Sequence, residues 1–487
     1  MVQKINQSLD NRVFIQSLAA LSPAELKAFK TFCQQSSTIT ERTKSLFEYI
    51  FRIAPNFEKL TEDKIHSLLF PDATKASTLL TYALHDLNEL LRNWLIQKEL
   101  AADQYLQNQL FIRACKKRFM HKQFFKKTQQ VLGFLKKDKL AVPATWQKQY
   151  EINFQLFSHA QTSKNQEVIE SLDAMATYLE MSFHGSRLRL ICQKVLRKKI
   201  LSSLSELEET SQAETLDFAK AHREKYPFFN LYFQLVQYLK KPNNINDLIS
   251  FVKDYKRDRM MIERLDQSTL LFAAANSLNE LTMKGDKTAA QIQFELFNYA
   301  FDNNLVLFDN EIGIGMFNNF CVAACEVKAF KIAKKMLKKY EPYFALYIRE
   351  EFTNLMWGTI YYYERKYEKV ELQLHTFQFK LPMFRIRSRN LLLKSLYERF
   401  KKDKTLQPLI LSELVSLRKY IRKQNSLTEF RKNMYYGMIS VIRKLTNVFH
   451  KRPFYREKTK KELMDYLNDE TKNPISRNWL LEKVKQL

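Results

Sequence analysis

Apolar residues recur every three or four positions along most of the chain, which is the spacing of an amphipathic helix. The longest clear window carries Leu80, Leu84, Leu87, Leu91 and Trp94. Comparable windows follow one another to the C-terminal end of the sequence and are separated by short turns. The pattern predicts an all-α protein.

The first hundred residues predict a small N-terminal helical bundle. Ser22 and Pro23 are followed by Glu25, a combination typical of a helix start, because the serine and glutamate side chains can each bond a free backbone N–H group. Helix ends are expected near Pro55 and Pro71, since proline interrupts a helix. Residues 1–100 are therefore predicted to form an N-terminal helical module.

Residues 101–310 continue the helical pattern with weaker punctuation and predict a degenerate helical-repeat region. The clearest predicted break is at Gly185, because glycine is favoured just after a helix end. A further helix is expected to run to Leu204, and a turn is expected at Pro242. Pairs of helices that each expose an apolar face are typical of a solenoid, in which neighbouring pairs must stack.

Between Phe317 and Pro382 the pattern predicts two helix-turn-helix pairs in tandem. In the second pair the turn is expected at Arg365 and Lys366. The positions that define this pair are Trp357, Gly358, Tyr361, Tyr367, Val370, Leu374, Phe377 and Pro382. The spacing places Val370, Leu374 and Phe377 on one face of the second helix.

This second pair resembles the tetratricopeptide repeat, whose pattern is W-x2-L-G-x2-Y, then A-x3-F, then P. Gly358 and Tyr361 match the first element, whereas Asn354 stands where the family has its leading tryptophan. The resemblance implies tetratricopeptide-like repeats over residues 311–403 within a right-handed α-solenoid, and it implies no function. The chain as a whole also resembles uncharacterised bacterial helical-repeat proteins, for which no activity is implied.

Composition argues against the common enzyme classes. The chain has only 7 glycines in 487 residues, whereas glycine is typically about 7% of a sequence. Enzymes that cradle phosphates use glycine-rich loops, and neither a dinucleotide motif nor a P-loop occurs. We therefore predict a non-enzymatic protein with no catalytic, cofactor-binding or metal-binding residues.

The five cysteines are scattered and show no C-x-x-C spacing, which favours buried thiols in a reducing compartment. No run of 18 apolar residues occurs. These observations predict a cytoplasmic protein without membrane insertion.

The net charge of +27 is concentrated in two regions. Residues 111–140 contain 10 Lys/Arg and one acidic residue, and residues 380–461 contain 23 Lys/Arg and 5 acidic residues. Such regional charge favours an interaction surface. Residues 404–487 are predicted to form a basic helical cap that covers the open end of the array.

The sharpest candidate site lies on the helices of this cap. Its cations are expected to flank the apolar face formed by Ile410, Leu414, Leu417 and Ile421. The predicted surface for an anionic partner consists of Arg418, Lys419, Arg422, Lys423, Arg431, Lys432, Arg443 and Lys444.

Four interpretations of these cations are open at this stage. They can form a solvated face whose apolar stems cover neighbouring residues, or bind an acidic protein or peptide, a nucleic acid, or a membrane surface. The preferred function is a scaffold or adaptor that binds a protein or peptide partner through its helical-repeat surface. The alternative is a nucleic-acid-binding protein that uses the basic C-terminal helices.

Overall fold

The computed structural model describes residues 12–36, 40–54, 56–57, 60–69, 76–159, 165–198, 209–241, 244–283, 285–425, 427–469 and 471–487. Within these residues the chain is almost entirely helical, so the all-α prediction is confirmed. The predicted helix ends at Pro55 and Pro71, the turn at Pro242 and the helix end at Leu204 lie outside the described residues.

The helices before residue 200 are α1 Val13–Ala19, α2 Pro23–Gln35, α3 Glu41–Ile53, α4 Glu62–Leu69, α5 Ala76–Ala102, α6 Gln104–Lys117, α7 His121–Lys137, α8 Pro143–Phe157 and α9 Asn165–Lys198. The helices after residue 200 are α10 Glu209–His222, α11 Pro227–Lys240, α12 Ile245–Asp258, α13 Arg264–Ser277, α14 Asn279–Met283, α15 Lys287–Asp302, α16 Ile314–Glu326, α17 Phe330–Tyr340, α18 Arg349–Tyr363, α19 Tyr367–His375, α20 Pro382–Phe400, α21 Gln407–Arg422, α22 Glu429–Val448, α23 Pro453–Asn468 and α24 Arg477–Lys485. A two-stranded antiparallel hairpin, β1 Leu307–Phe308 and β2 Glu311–Ile312, precedes α16.

The chain divides into two compact units. The first consists of Met1–Lys137 and Lys148–Ala176, and the second consists of Asp138–Gln147 and Thr177–Leu487. The four segments predicted from the sequence, 1–100, 101–310, 311–403 and 404–487, remain a prediction.

In the first unit, α2 begins as the sequence predicts. The Ser22 side chain accepts a hydrogen bond from the Glu25 backbone N–H, and the Glu25 carboxylate accepts one from the Ser22 backbone N–H at 2.9 Å. The hydrophobic core of these helices includes Phe29, which packs against Trp94 with ring centroids 5.5 Å apart. The apolar stripe of α5 thus faces this core.

The second unit has two hydrophobic cores. The larger runs from Val142 to Phe384, and the smaller covers α20 to α24. In the larger core the Trp146 and Phe229 rings stack with centroids 5.3 Å apart. Helices from α11 onward pack mainly against their neighbours in sequence; α18, for example, packs against α16, α17, α19 and α20.

The break predicted at Gly185 is wrong, because α9 continues through this residue. The residue is glycine for a packing reason instead. A Cβ atom at Gly185 would lie 2.7 Å from Cγ of Pro143 and 3.2 Å from the Trp146 ring. The helix therefore approaches the start of α8 more closely than any side chain would permit.

The two helix-turn-helix pairs between Phe317 and Pro382 are present as α16–α17 and α18–α19. Each turn contains one residue in the left-handed backbone region, Lys328 with φ 60° and Arg365 with φ 61°. A Cβ atom at Gly358 would lie 2.8 Å from the Leu374 side chain, so glycine lets α18 and α19 approach closely.

One position of the second pair, Phe377, differs from the sequence prediction, and another, Trp357, lies at the edge of the core. Phe377 lies beyond the end of α19, because the helix stops at His375 and the chain then turns toward α20. Trp357 is half-buried at the edge of the core, and its ring centroid lies 6.0 Å from the Lys338 ammonium group. The fully buried neighbour on the same helix is Met356.

A network of charged and polar side chains connects α9, α11 and α13 inside the second unit. The carboxylate of Asp266, only 2% exposed, accepts hydrogen bonds from Arg189 Nε at 2.8 Å and from the Tyr232 hydroxyl at 2.7 Å. Arg189 also pairs with Glu263 at 2.9 Å. Burial acts to lower the pKa of Arg189, but Asp266 outweighs it and raises that pKa.

All five cysteines, Cys33, Cys115, Cys192, Cys321 and Cys325, are free thiols with buried side chains, as predicted. Burial raises the pKa of Cys33 and of Cys192 to about 12. A higher thiol pKa leaves less thiolate at neutral pH, so these sulfur atoms are weak nucleophiles.

Candidate functional site

The candidate site lies on α20, α21 and α22, which pack in that order. Ile410, Leu414, Leu417 and Ile421 have no exposed surface, so the predicted inner face of α21 is confirmed. This burial fixes which side of α21 faces water and places its basic residues there.

The structure distinguishes two groups among the eight predicted site residues. Those that are exposed are Arg418, Lys419, Arg422, Lys423, Arg431 and Lys444, and those that are half-buried are Lys432 and Arg443. Lys432 pairs with Glu429 at 2.8 Å, and Lys444 pairs with Glu462. In the described part of the chain, the other six have no acidic partner.

Aromatic rings connect the basic residues of neighbouring helices. The guanidinium carbon of Arg418 on α21 lies 5.3 Å from the ring centroid of Tyr436 on α22. Arg385 on α20 lies 4.8 Å from the ring centroid of Tyr420 on α21. Both distances are within the range of a favourable cation–π interaction, so tyrosines hold two of these guanidinium groups against the protein surface.

Arg387 is a further cation of this surface that sequence reasoning did not single out. Its guanidinium donates a hydrogen bond to Asn318 Oδ1 at 2.5 Å. Burial lowers the pKa of Arg387, while the nearby Tyr435 hydroxyl opposes that effect. Burial likewise raises the pKa of Tyr435, and both Arg387 and Arg431 oppose it. Arg387 and Arg431 therefore act on the same hydroxyl group from α20 and α22.

A relay of asparagine side chains orients the acceptor of Arg387. Asn319 Nδ2 donates to Asn276 Oδ1 at 2.9 Å, and Asn318 Nδ2 donates to Asn319 Oδ1 at 3.3 Å. Because the amide nitrogen of Asn318 is engaged in this way, its oxygen is free to face Arg387. Arg387 is half-buried, and because its acceptor is a neutral amide, that acceptor adds no negative charge to compensate the guanidinium.

The sequence shows that arginines alternate along α20, but it does not show which of them has an acidic partner. The alternation of Arg385, Arg387 and Arg389 is visible in the sequence. In the structure Arg389 pairs with Glu413 at 2.8 Å, whereas the other two contact a ring and an amide. These partners lie on other helices, so the spacing within α20 carries no signal that separates the three arginines.

Three other groups of polar or reactive side chains in the second unit have partners within the protein. Tyr361 has Lys334 at 5.6 Å from its ring centroid, and burial raises the pKa of Tyr362 and Tyr363. Glu371 pairs with Arg399 at 2.5 Å. Cys321 and Cys325 lie in the core among the small residues of α16.

The basic region 111–140 lies on α6 and α7, almost entirely in the first unit. Lys116 there donates a hydrogen bond to the Ser158 hydroxyl at 2.7 Å. Its other cations are mostly exposed.

The described residues contain neither a metal-binding cluster nor a helix able to cross a membrane. No group of three or more His, Cys, Asp or Glu side chains there is arranged to hold a metal ion. Among the same residues, no helix combines the length and the apolar character needed to cross a membrane.

No protein-family model, curated protein or solved structure matches this chain. The tetratricopeptide resemblance therefore rests on the residues between Phe317 and Pro382 alone.

Proposed function

We propose that this chain is a non-enzymatic scaffold or adaptor that binds an acidic segment of another protein. The binding surface is the basic surface, defined as Arg385, Arg418, Lys419, Arg422, Lys423 and Arg431 on α20 to α22. The observation that carries the proposal is that these cations are exposed and, within the described residues, have no acidic partner.

Other cations on the same helices differ from those of the basic surface, because they form ion pairs within the protein. Arg389, Lys432 and Lys444 each pair with a carboxylate. Exposed charges contribute little to folding stability in any case, typically about 0–1 kcal/mol per pair. Clustered unpaired cations instead produce a positive potential that accelerates encounter with an acidic partner.

Exposed apolar side chains on the same helices support a protein partner. Val415 on α21 is 43% exposed, and Phe430 on α22 is 67% exposed and adjacent to Arg431. Protein interfaces combine such apolar contacts with a polar rim, whereas phosphate backbones offer no apolar surface. A segment with glutamates beside leucines would match both features.

The tyrosines of the surface favour a protein over a nucleic acid for a second reason. Proteins that bind single strands stack bases on free aromatic faces. Here Arg385 covers a face of Tyr420 and Arg418 covers a face of Tyr436. Nucleic acid is therefore the alternative partner.

Two further features support the proposed solenoid architecture and the proposed cytoplasmic location. Sequential packing of α16 to α20 is what a tetratricopeptide-like solenoid requires, since each repeat contacts its neighbours. Five free buried thiols support a cytoplasmic location, because thiols persist in reducing compartments.

The test compares two variants that lose the same charge. One replaces Arg418, Lys419, Arg422 and Lys423 with Gln, and the other replaces the exposed Lys331, Lys335, Lys338 and Lys339 of α17 with Gln. The probes are a labelled helical peptide with Glu on one face and Leu on the other, single-stranded RNA and duplex DNA. Fluorescence anisotropy measures binding at about 50 and about 200 mM salt.

We expect the acidic peptide to bind the unmodified chain and the α17 variant, and to bind the α21 variant at least about tenfold more weakly. Equal loss in both variants would overturn the proposal, because binding would then reflect total charge alone. Absence of peptide binding would overturn it as well. Preferential binding of RNA or DNA, with a loss of about 10³–10⁵ between the two salt concentrations, would establish the alternative.

A further inference from the structure

Both sides of α9 carry apolar side chains, although only one side faces the core. The inner side contributes Met181 and Leu188 to the larger core of the second unit. On the opposite side of the helix, Leu179 is 48% exposed, Phe183 is 53% exposed and Leu190 is 57% exposed. Single exposed apolar residues are common on proteins, but a row of them along one helix marks an interaction surface.

The spacing of this outer side is that of a coiled coil. Intervals of three and four residues alternate without interruption over three heptads, or about 32 Å of helix. The exposed residues that follow this spacing, here called the heptad row, are Ile169, Leu172, Ala176, Leu179, Phe183, Ser186 and Leu190. Such a row is typical of a helix that packs side by side with a second helix. The partner expected on the heptad row is therefore another helix.

Charged residues along one flank of the heptad row change sign from one end to the other. At intervals of seven residues this flank carries Asp173 and Glu180, followed by Arg187 and Lys194. The guanidinium carbon of Arg187 lies 5.4 Å from the ring centroid of Phe183, so this flank directly borders the row. Among the described residues, neither Glu180 nor Arg187 forms an ion pair. In coiled coils, charges at such flanking positions select the partner and its direction.

We propose that the heptad row is the interface of a homodimer in which the α9 helices of two copies pack antiparallel. In a two-fold interface, residue i of one copy faces residue j of the other, and residue j faces residue i. Antiparallel packing places Glu180 of each copy opposite Arg187 of the other. The same alignment places Asp173 opposite Lys194, because both pairs are centred on the same point of α9. The sequence of α9 is thus complementary to itself in charge.

This alignment also matches the apolar residues of the two helices. It places Phe183 of one copy beside Ser186 of the other, and Leu179 of one copy beside Leu190 of the other. A small serine leaves room for a phenyl ring, and large residues opposite small ones let two helices interdigitate. The apolar side chains and the flanking charges therefore agree on one register.

Other occupants of the heptad row fit these residues less well. A parallel pair of α9 helices would place Glu180 opposite Met175 and Arg187 opposite Ser182, so the flanking charges would meet no opposite charge. A membrane with anionic lipids would be repelled by Asp173 and Glu180. A second copy in the antiparallel direction satisfies both the apolar row and its flank.

The first experiment measures the mass of the full-length chain by sedimentation velocity between about 1 and about 100 μM. We expect a concentration-dependent dimer. Leu179→Glu places two carboxylates in the interface and should weaken dimerisation at least about tenfold. Leu346→Glu makes the same change at an exposed position outside α9 and should leave dimerisation unaffected. A chain that is monomeric at every concentration, or equal weakening by both substitutions, would overturn the proposal.

The second experiment tests the antiparallel direction by exchanging charges. Glu180→Arg and Arg187→Glu each place like charges opposite one another, so each should weaken dimerisation at least about tenfold. The double variant restores opposite charges at both places and should dimerise as the unmodified chain does. An equimolar mixture of the two single variants should also associate. Circular dichroism checks that each variant remains folded. Single variants that dimerise normally, or a double variant no better than either single one, would show that the antiparallel pairing is wrong.

Discussion

At the scale of single residues, three partly buried arginines of the second unit are stabilised in different ways. Arg189 has two carboxylate partners, Asp266 and Glu263, and Arg389 has one, Glu413. Among the described residues Arg387 has no carboxylate partner; it contacts the amide oxygen of Asn318 and lies near the Tyr435 hydroxyl. A desolvated charge is costly unless it is paired, so the first two arginines are tied to the fold and Arg387 keeps an uncompensated charge.

We predict that Asp266→Asn destabilises the second unit by about 3–5 kcal/mol. The substitution keeps the shape but removes the charge that compensates Arg189, and it places an amide N–H₂ group where Asp266 now accepts hydrogen bonds. Urea unfolding measures the change. Asp217→Asn, at an exposed position of α10, is the matched control and should change stability by less than about 0.5 kcal/mol. Equal effects of the two substitutions would contradict the role of Asp266.

At the scale of helices, glycine has opposite effects in α7 and α9. Gly133 in α7 has no atom within 4 Å of the place where a Cβ would be, whereas Gly185 in α9 has Pro143 at 2.7 Å. Helix propensity favours alanine over glycine at both positions. Only the packing of α9 against the start of α8 reverses that preference.

Replacement of each glycine by alanine tests this contrast. Gly133→Ala should stabilise the protein by about 0.5–1 kcal/mol, because glycine is unfavourable inside a helix. Gly185→Ala should destabilise it by about 1–3 kcal/mol, because the added methyl group forces apart a packed contact. Thermal unfolding of both variants gives the sign of each change. A stabilising Gly185→Ala would show that Pro143 moves aside at little cost.

These helices also show what the sequence could predict. Helix existence, the capped start at Ser22 and the turn at Arg365 follow from local chemistry, and the structure confirms them. The break at Gly185 was predicted wrongly because a glycine that ends a helix and one that permits close packing look alike in sequence. The partner of Gly185, Pro143, lies 42 positions away, and no local pattern reports such a contact.

Some residues of the candidate site could likewise be predicted from the sequence, and others could not. The exposed face of α21 follows from the spacing of Ile410, Leu414, Leu417 and Ile421, so the site residues on that helix were predictable. Arg387 was not, because its partners come from α16 and α22. Only contacts between helices show that Arg387 has no carboxylate partner among the described residues, whereas Arg389 on the same helix pairs with Glu413.

At the scale of the whole molecule, the two compact units have separate hydrophobic cores. Leu87 belongs to a core of the first unit and Phe320 to a core of the second, and neither side chain is exposed. Chains built from more than one cooperative unit commonly depart from two-state unfolding. We expect two unfolding transitions.

Leu87→Ala and Phe320→Ala should each shift a different transition, by about 2–5 kcal/mol. Tryptophan fluorescence and far-ultraviolet circular dichroism during urea unfolding measure this. Trp94 lies in the first unit, whereas Trp146, Trp357 and Trp479 lie in the second, so fluorescence weights the second unit more strongly. Coincident curves that move together in both variants would instead indicate a single cooperative unit.

The buried cysteines have a practical consequence for all these measurements. Since all five thiols are free and buried, maleimide dyes should label the native chain slowly at each of them. A cysteine introduced at the exposed Ser440 of α22 would then be the one fast-reacting thiol, without removal of the native ones. A fluorophore at that position would report directly on whatever docks beside α21 and α22, in a chain that is otherwise unaltered.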